Sequence, residues 1–396
     1  MESNKYTTDS SKPAVVVAMS GGVDSSVAAY LLAKQGYPLV GVSMQVWDYK
    51  QNSSENSRAT CCSPADFCDA RMVADALDIP FYVVDFEATF QAEVIQRFVD
   101  TYKQGLTPNP CIDCNSRVKF RELRRRALGF GCGVVATGHY ARIRKSSEGF
   151  HLLRGVDLNK DQSYFLYTCR QDELEQTLFP IGDFTKPEIR EIAREVGLST
   201  AQKPESQDIC FVAGSVQDFV TKIGGGRGTG NFITKGGQKV GEHDGVHRFT
   251  VGQRRGLHLG GASEPLYVVG LNASTNEVIV GPREDLKREG FSVQEMHWVS
   301  PSLRRLIAEA EFPFHRDVVV QVRSRHEGVR ARMTVLSADE SEVSWTDGWA
   351  PVSPGQAAVM YDLSNEELLC GGRIRATSFE TRRFEGPGVE DASLIT

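Results

Sequence analysis

The chain has 396 residues, 40% of them hydrophobic and 24% charged, with a formal net charge of −6 at pH 7. This is the make-up of a globular protein of two or three domains and excludes a disordered or fibrous chain. The polar opening MESNKYTTDSSKP has no apolar signal core, and no stretch approaches the roughly 18 apolar residues of a membrane span, so a cytoplasmic protein without membrane attachment is expected. In that reducing compartment nine cysteines, an odd number, argue for reactive or metal-binding thiols over a disulfide framework. The acidic balance leaves any nucleic acid to be held by local basic patches.

From Ala14 the sequence AVVVAM reads as a strand, SGGVDS as a glycine turn and SVAAYLLAKQG as a helix stopped by Gly36. LVGVSMQVW is a second buried strand, ADFCDARMVADALDIP a helix, FYVVDF a third strand, and VVATGHYARI, from Val134, another. The alternation predicts an α/β fold with an N-terminal doubly wound parallel sheet and ligands at the carboxyl ends of its strands. Thr185 and Glu188 form a capping box for KPEIREIAREVG, with Pro187 in the first turn and Gly197 at the stop. Beyond Val220, glycine-rich stretches (GGGRGTG, TKGGQ, TVGQRRGLHLGG) alternate with short strands such as PLYVVGL and EVIVG, which predicts a small β-rich central domain. From about Ser292, VVVQVRSR, VRARMTVL, EVSWT and QAAVMYD predict a C-terminal antiparallel β-barrel. The expected domains are therefore residues 1–218, 219–291 and 292–396, the last with a polar tail.

Two stretches carry chemistry. SGGVDSS, Ser20 to Ser26, lies between strand and helix, where backbone N–H groups converge on an anion. It is neither a Walker A loop nor a dinucleotide fingerprint. Asp24 could hold Mg²⁺ there, although a capped turn is the bland alternative. TPNPCIDCN places Cys111 and Cys114 after a Pro-Asn-Pro bend, as half of a zinc site, a redox pair or a reactive thiolate. A zinc ribbon needs a second C-x-x-C, and the sequence has none. Cys61, Cys62 and Cys68 read as loop or core cysteines, and Cys132, Cys169 and Cys370 as small hydrophobes. The basic run from Arg117 to Arg126 reads as a phosphate-facing helix, and a second cluster is Arg323, Arg325, Arg330 and Arg332.

AMSGGVDSS resembles the PP-loop of the ATP pyrophosphatases, which split ATP between the α and β phosphates. With TPNPCIDCN, ATGHYARI, KDQSYFLY, FPIGDFTKPEIREIA, KPESQDICF, GEHDGVHRFTVGQRRGL and PGQAAVMYD, the chain resembles the tRNA-specific 2-thiouridylase family from about Ala14 to about Phe384. The resemblance implies ATP-dependent 2-thiolation of the tRNA wobble uridine, through an adenylated uridine and a cysteine persulfide. It implies Cys114 as nucleophile and Cys210 as persulfide carrier. For ATP it implies Ala18, Met19, Ser20, Gly21, Gly22, Val23, Asp24, Ser25, Met44 and Gly138. For tRNA it implies Asn109, Pro110 and Cys111 at the target base, with His139, Lys160, Asp161, Gln162, Arg323, Ser324 and Gln356 as further contacts. Many relatives have aspartate where this chain has Cys111, so an iron-sulfur cluster on Cys111, Cys114 and Cys210 is a further expectation. The expected partners are the tRNA anticodon loop and an upstream persulfide donor, with the chain acting as a monomer. A PP-loop amidotransferase or ligase acting on a small carbonyl substrate is the competing enzyme, but it has no need of two cysteine segments.

Overall fold

The structure is a computed structural model and describes residues 6–47, 63–205, 209–212, 214–224, 226, 228–260 and 264–375. The first strand, β1 (Val15–Ala18), is apolar throughout and its valines are fully buried, as a strand covered on both faces requires. The chain turns at Ser20 to Gly22 into α1 (Val23–Lys34), returns as β2 (Leu39–Gln45), and crosses through α2 (Pro64–Leu77) to β3 (Phe81–Asp85). It then rejoins the sheet beside β1 as β4 (Val134–Thr137).

The segment expected as one strand from Val134 is two elements. Gly138 lies so close to the glycine turn that a Cβ there would sit 2.7 Å from the Ser25 nitrogen. The chain leaves the sheet at that contact and forms a hairpin of β5 (Ala141–Ser146) and β6 (Gly149–Arg154). With β7 (Thr177–Leu178) the sheet order is β3-β2-β1-β4-β7, all parallel. Chain order reverses between β1 and β4, which opens a crevice at the carboxyl end of β1.

The Lys186–Val196 helix carries the expected Thr185–Glu188 box, and Gly197 closes it at φ 74°. Residues 110–127 are continuously helical, but Cys114–Leu123 winds as a π-helix between α-helical Pro110–Asp113 and Arg124–Ala127. No local signal along Cys114–Leu123 marks that wider winding.

The Val216–Lys222 helix spans the expected first boundary and leads to a four-stranded sheet. Its strands are β8 (Gly230–Thr234), β9 (Lys239–His243), β10 (Tyr267–Asn272) and β11 (Glu277–Gly281), in the order β10-β11-β8-β9. The C-terminal strands are β12 (Gly290–Trp298), β13 (Phe314–Gln321), β14 (Val329–Val335), β15 (Glu340–Trp345), β16 (Ala357–Tyr361) and β17 (Leu368–Ile374). They close as β12-β15-β14-β13-β16-β17, with β17 pairing β12, so the barrel keeps no open edge. A shared core seats this barrel on the N-terminal sheet domain: Ile112, Phe120, Tyr164 and Leu166 pack with Val319, Val359 and Tyr361. Burying apolar area of this extent stabilises the seat at roughly 25 cal/mol per Å².

Candidate active site

At the carboxyl ends of β1, β2 and β4 lies a cavity of about 440 Å³, within the range typical of small-ligand sites. Its floor is the glycine turn. Gly21 adopts φ 71°, and a Cβ there would lie 2.3 Å from the Asp66 carbonyl oxygen, so only glycine fits this conformation beside α2. The turn is braced internally, because Ser25 Oγ accepts from the Ser20 N–H at 3.2 Å and Ser26 Oγ donates to the Gly22 carbonyl at 2.9 Å. The N-terminal amides of α1 beyond it suit an anion.

Met44 from β2 and Gly138 after β4 line the same cavity, together with Ala18, Met19, Ser20, Gly22, Val23, Asp24 and Ser25. So do Pro110, Cys111, Cys114, His139, Lys160, Gln162 and Cys210. The fold thus gathers both cysteine segments, 96 positions apart from Cys114 to Cys210, around the glycine turn. Cys114 and Cys210 are half-buried against the core beside the sheet, while Cys111 is exposed.

Other expected residues stand elsewhere. Gly21 shapes the turn without lining the cavity. Asn109 caps the cysteine helix, its side chain accepting from the Cys111 N–H at 3.2 Å. Asp161 is 3% exposed in its side chain, where it pairs with Arg154 and accepts from the Gly155 and Ser163 N–H groups. That carboxylate anchors the β6 end to the barrel, because Arg154 also donates to Gln321 and Asn365. Arg323 donates to the Val251 carbonyl and to Ser353, tying the central sheet region to the barrel, and Gln321 donates to the Ser324 carbonyl. Gln356 donates to the Pro108 carbonyl at 3.4 Å, which ties the barrel to the cysteine segment.

Most of the basic helix is engaged in ion pairs. Arg125 and Arg126 pair with Glu122, Arg124 with Asp172, and Arg117 with Glu93 and Asp113. The arginines hold the Glu122 carboxyl down at about 2. Neighbouring carboxylates thus neutralise most of the run, which sequence alone presents as a free basic face. Cys132, Cys169 and Cys370 are buried, and burial pushes the thiols of all three upward, as inert core cysteines require. Cys68 is exposed on α2, and Cys61 and Cys62 lie outside the described residues.

Sequence reasoning missed a network of lysines. Lys186, 8% exposed in its side chain, donates to both Asp24 oxygens at 2.7 and 2.8 Å, and Tyr140 donates its hydroxyl to Asp24 at 2.8 Å. Lys203 pairs with Asp66 and Asp69, and Glu205 bridges Lys160 at 2.7 Å and Lys186 at 3.0 Å. Burial raises the Glu205 carboxyl, but hydrogen bonds from the two lysines outweigh this and hold it below its ordinary value. The only sequence signals were the lysines before Pro187 and Pro204, which read as punctuation.

Asp24, expected as a Mg²⁺ ligand, carries the Lys186 ammonium on both its oxygens. Among the described residues no three Cys, His, Asp or Glu side chains gather to hold a metal ion, so Cys111, Cys114 and Cys210 do not form the expected cluster site. His139 is buried between Phe120 and Phe179, and burial, then the Lys119 charge, depress its pKa well below the ordinary value. Its ring is held in the neutral form by that burial while its edge lines the cavity.

Family models match three consecutive regions: a tRNA methyl transferase HUP domain over residues 13–214, a tRNA methyl transferase PRC-barrel domain over 217–282, and an aminomethyltransferase beta-barrel domain over 288–374. The tRNA-specific 2-thiouridylase MnmA of Geobacter metallireducens is 45% identical over 94% of this chain and 100% of its own length. Its namesake from Geotalea uraniireducens is 46% identical over 91% and 94%, and that from Leptospira interrogans 40% over 95% and 98%. Solved structures match weakly. A 4-thiouridine synthetase in complex with RNA and bound ATP is 19% identical over 51% of this chain and 45% of its own, at a TM-score of 0.32, which is too low to bear on function. Three consecutive models and full-length relatives at 40 to 46% identity leave one conclusion: this chain belongs to the tRNA-specific 2-thiouridylase family.

Proposed function

We propose that the protein replaces the C2 oxygen of the tRNA wobble uridine by sulfur at the expense of ATP, acting in the cytoplasm as a monomer. One observation carries the reading: a single cavity joins a phosphate-binding glycine turn to Cys114 and Cys210. Oxygen at C2 is a poor leaving group, and the turn supplies the means to change that. Uridine O2 bonds to the α phosphorus of ATP, the bond from that phosphorus to the bridging oxygen breaks, pyrophosphate leaves toward the turn, and the N3 proton passes to solvent. A persulfide on Cys210 then attacks C2 through its outer sulfur. The C2–O2 bond breaks and AMP departs with the electron pair. Cys114, as thiolate, attacks the Cys210 sulfur, which frees 2-thiouridine and leaves a Cys114–Cys210 disulfide. A dithiol reductant returns both thiols, and an upstream protein persulfide reloads Cys210.

Met44 and Gly138 suit the adenine and ribose side, and Pro110 and Cys111 the extruded base, which must leave its stack to be reached. We place the working domains at residues 1–218, 219–291 and 292–396, the last meeting tRNA through its rim.

The matching family models carry methyl-transfer names, whereas the full-length relatives are named 2-thiouridylases. Nucleoside mass spectrometry separates the two. tRNA incubated with protein, ATP, Mg²⁺ and a persulfide donor gains sulfur for oxygen at the wobble uridine, and only with ATP. A methylated nucleoside, or no thiouridine from folded protein, overturns the reading.

A further inference from the structure

Four lysines and three carboxylates line the active-site cavity. Lys160, Lys186 and Lys203 each contact a carboxylate, as described above. Lys119 is different. Among the described residues it has no carboxylate partner, and its ammonium stands 3.5 Å from Nε2 of His139. An ammonium only donates, so Nε2 accepts and Nδ1–H donates to Thr137 Oγ1 at 2.7 Å. The imidazole is buried, and burial favours its neutral form, so it holds the ammonium in place without cancelling its charge. The surplus positive charge of the cavity therefore resides on Lys119.

Its position follows from the π-helix. Bonding from i to i+5 sets Lys119 one turn above Cys114, on the same side, and both line the cavity. Its head group is held at the other end by His139, the residue after Gly138, where a Cβ would lie 2.7 Å from the Ser25 nitrogen. Lys119 thus runs from the cysteine helix to the end of β4 and lines the same cavity as the nucleotide turn. We propose that Lys119 is a catalytic residue that grips the α-phosphoryl group through the reaction, with His139 and Thr137 as its positioning residues. It offsets charge on that phosphate as O2 attacks, and again as the C2–O2 bond breaks and AMP departs. Its own proton stays in place throughout, and the bonds made and broken are those of the thiolation already described. This inference rests on the proposed thiolation.

Lys119→Met tests it in the full-length protein. Pyrophosphate release in the presence of tRNA falls by about 10² to 10³-fold, the usual effect of removing one such donor, and thiouridine falls with it. Lys119→Arg restores part of both. Persulfide loading of Cys210, followed by intact-protein mass, and tRNA affinity stay at wild-type levels, which a misfolded variant would not permit. Wild-type pyrophosphate release by Lys119→Met overturns the inference. So does loss of persulfide loading or of Cys114 alkylation with adenylation intact, because Lys119 would then serve the thiols. If the wild-type protein itself makes no thiouridine, the proposed function fails first, and the two failures are told apart.

Discussion

The two sides of the helical stretch 110–127 carry similar residues to different ends. One side gives Cys111, Cys114 and Lys119 to the cavity. The other gives Asp113, 8% exposed in its side chain, to three guanidinium groups: Arg97 at 3.3 Å, Arg117 at 3.6 Å and Arg373 of β17 at 3.5 Å. On that side the charges compensate one another and clamp the barrel to the helix. On the cavity side a charge is left over for substrate. Charge compensation, more than charge itself, separates structural from chemical residues here.

That contrast can be broken. Cys114→Ser or Cys210→Ser removes a reacting sulfur, and thiouridine formation falls by about 10⁴-fold or more in single turnover, while thermal melting stays near wild type. Lys186→Met leaves Asp24 without its ammonium beside the nucleotide turn. ATP-dependent AMP formation then falls by about 10²-fold, measured as kcat/KM for ATP, with a smaller loss of stability. Asp113→Asn does the reverse. Three arginines lose their shared carboxylate, which costs about 2 to 4 kcal/mol in urea unfolding, while kcat per folded molecule holds. If Asp113→Asn abolished chemistry at unchanged stability, the division between the two sides would collapse.

Acid sharpens the same point. Burial depresses His139 first of all, and His243, His247, His297 and His326 are depressed as well. A histidine whose folded pKa lies below its unfolded value stabilises the fold fully above about pH 6.5, and that stability is lost as pH falls below it, because only the unfolded chain takes up the proton. The unfolding free energy from urea titration therefore drops between pH 7 and 5, by up to about 1.4 kcal/mol per pH unit for each such histidine. His139→Gln makes the slope shallower. Least of all, Arg125→Ala leaves stability and the salt dependence of tRNA binding unchanged, since that exposed guanidinium is already paired with Glu122.

Local signals were legible in the sequence and distant ones were not. The turn at Ser20 to Gly22 and the box at Thr185 and Glu188 are fixed within a few residues, and the structure realises both. Pairing of Lys186 with Asp24 crosses 162 positions, and no window along the chain encodes it. Lys160, Asp161 and Gln162 read as one polar triplet, yet the fold sends Lys160 and Gln162 to the cavity and buries Asp161 under Arg154. The arginine run misled for the same reason, because Glu93 and Asp172 reach it from other elements.

The barrel meets the start of the cysteine segment backbone to backbone. Thr107 donates to the Pro354 carbonyl at 2.9 Å, and Gly355, at φ 89°, sits where a Cβ would lie 2.9 Å from the Thr107 nitrogen. The Leu106 Cβ lies as close, at 2.8 Å from that position, so the contact leaves no room for a larger residue. The C-terminal barrel therefore serves as a foundation on which the cysteine helix stands. A methyl group added at position 355 would be felt at the thiols, some way from the nearest residue that does chemistry.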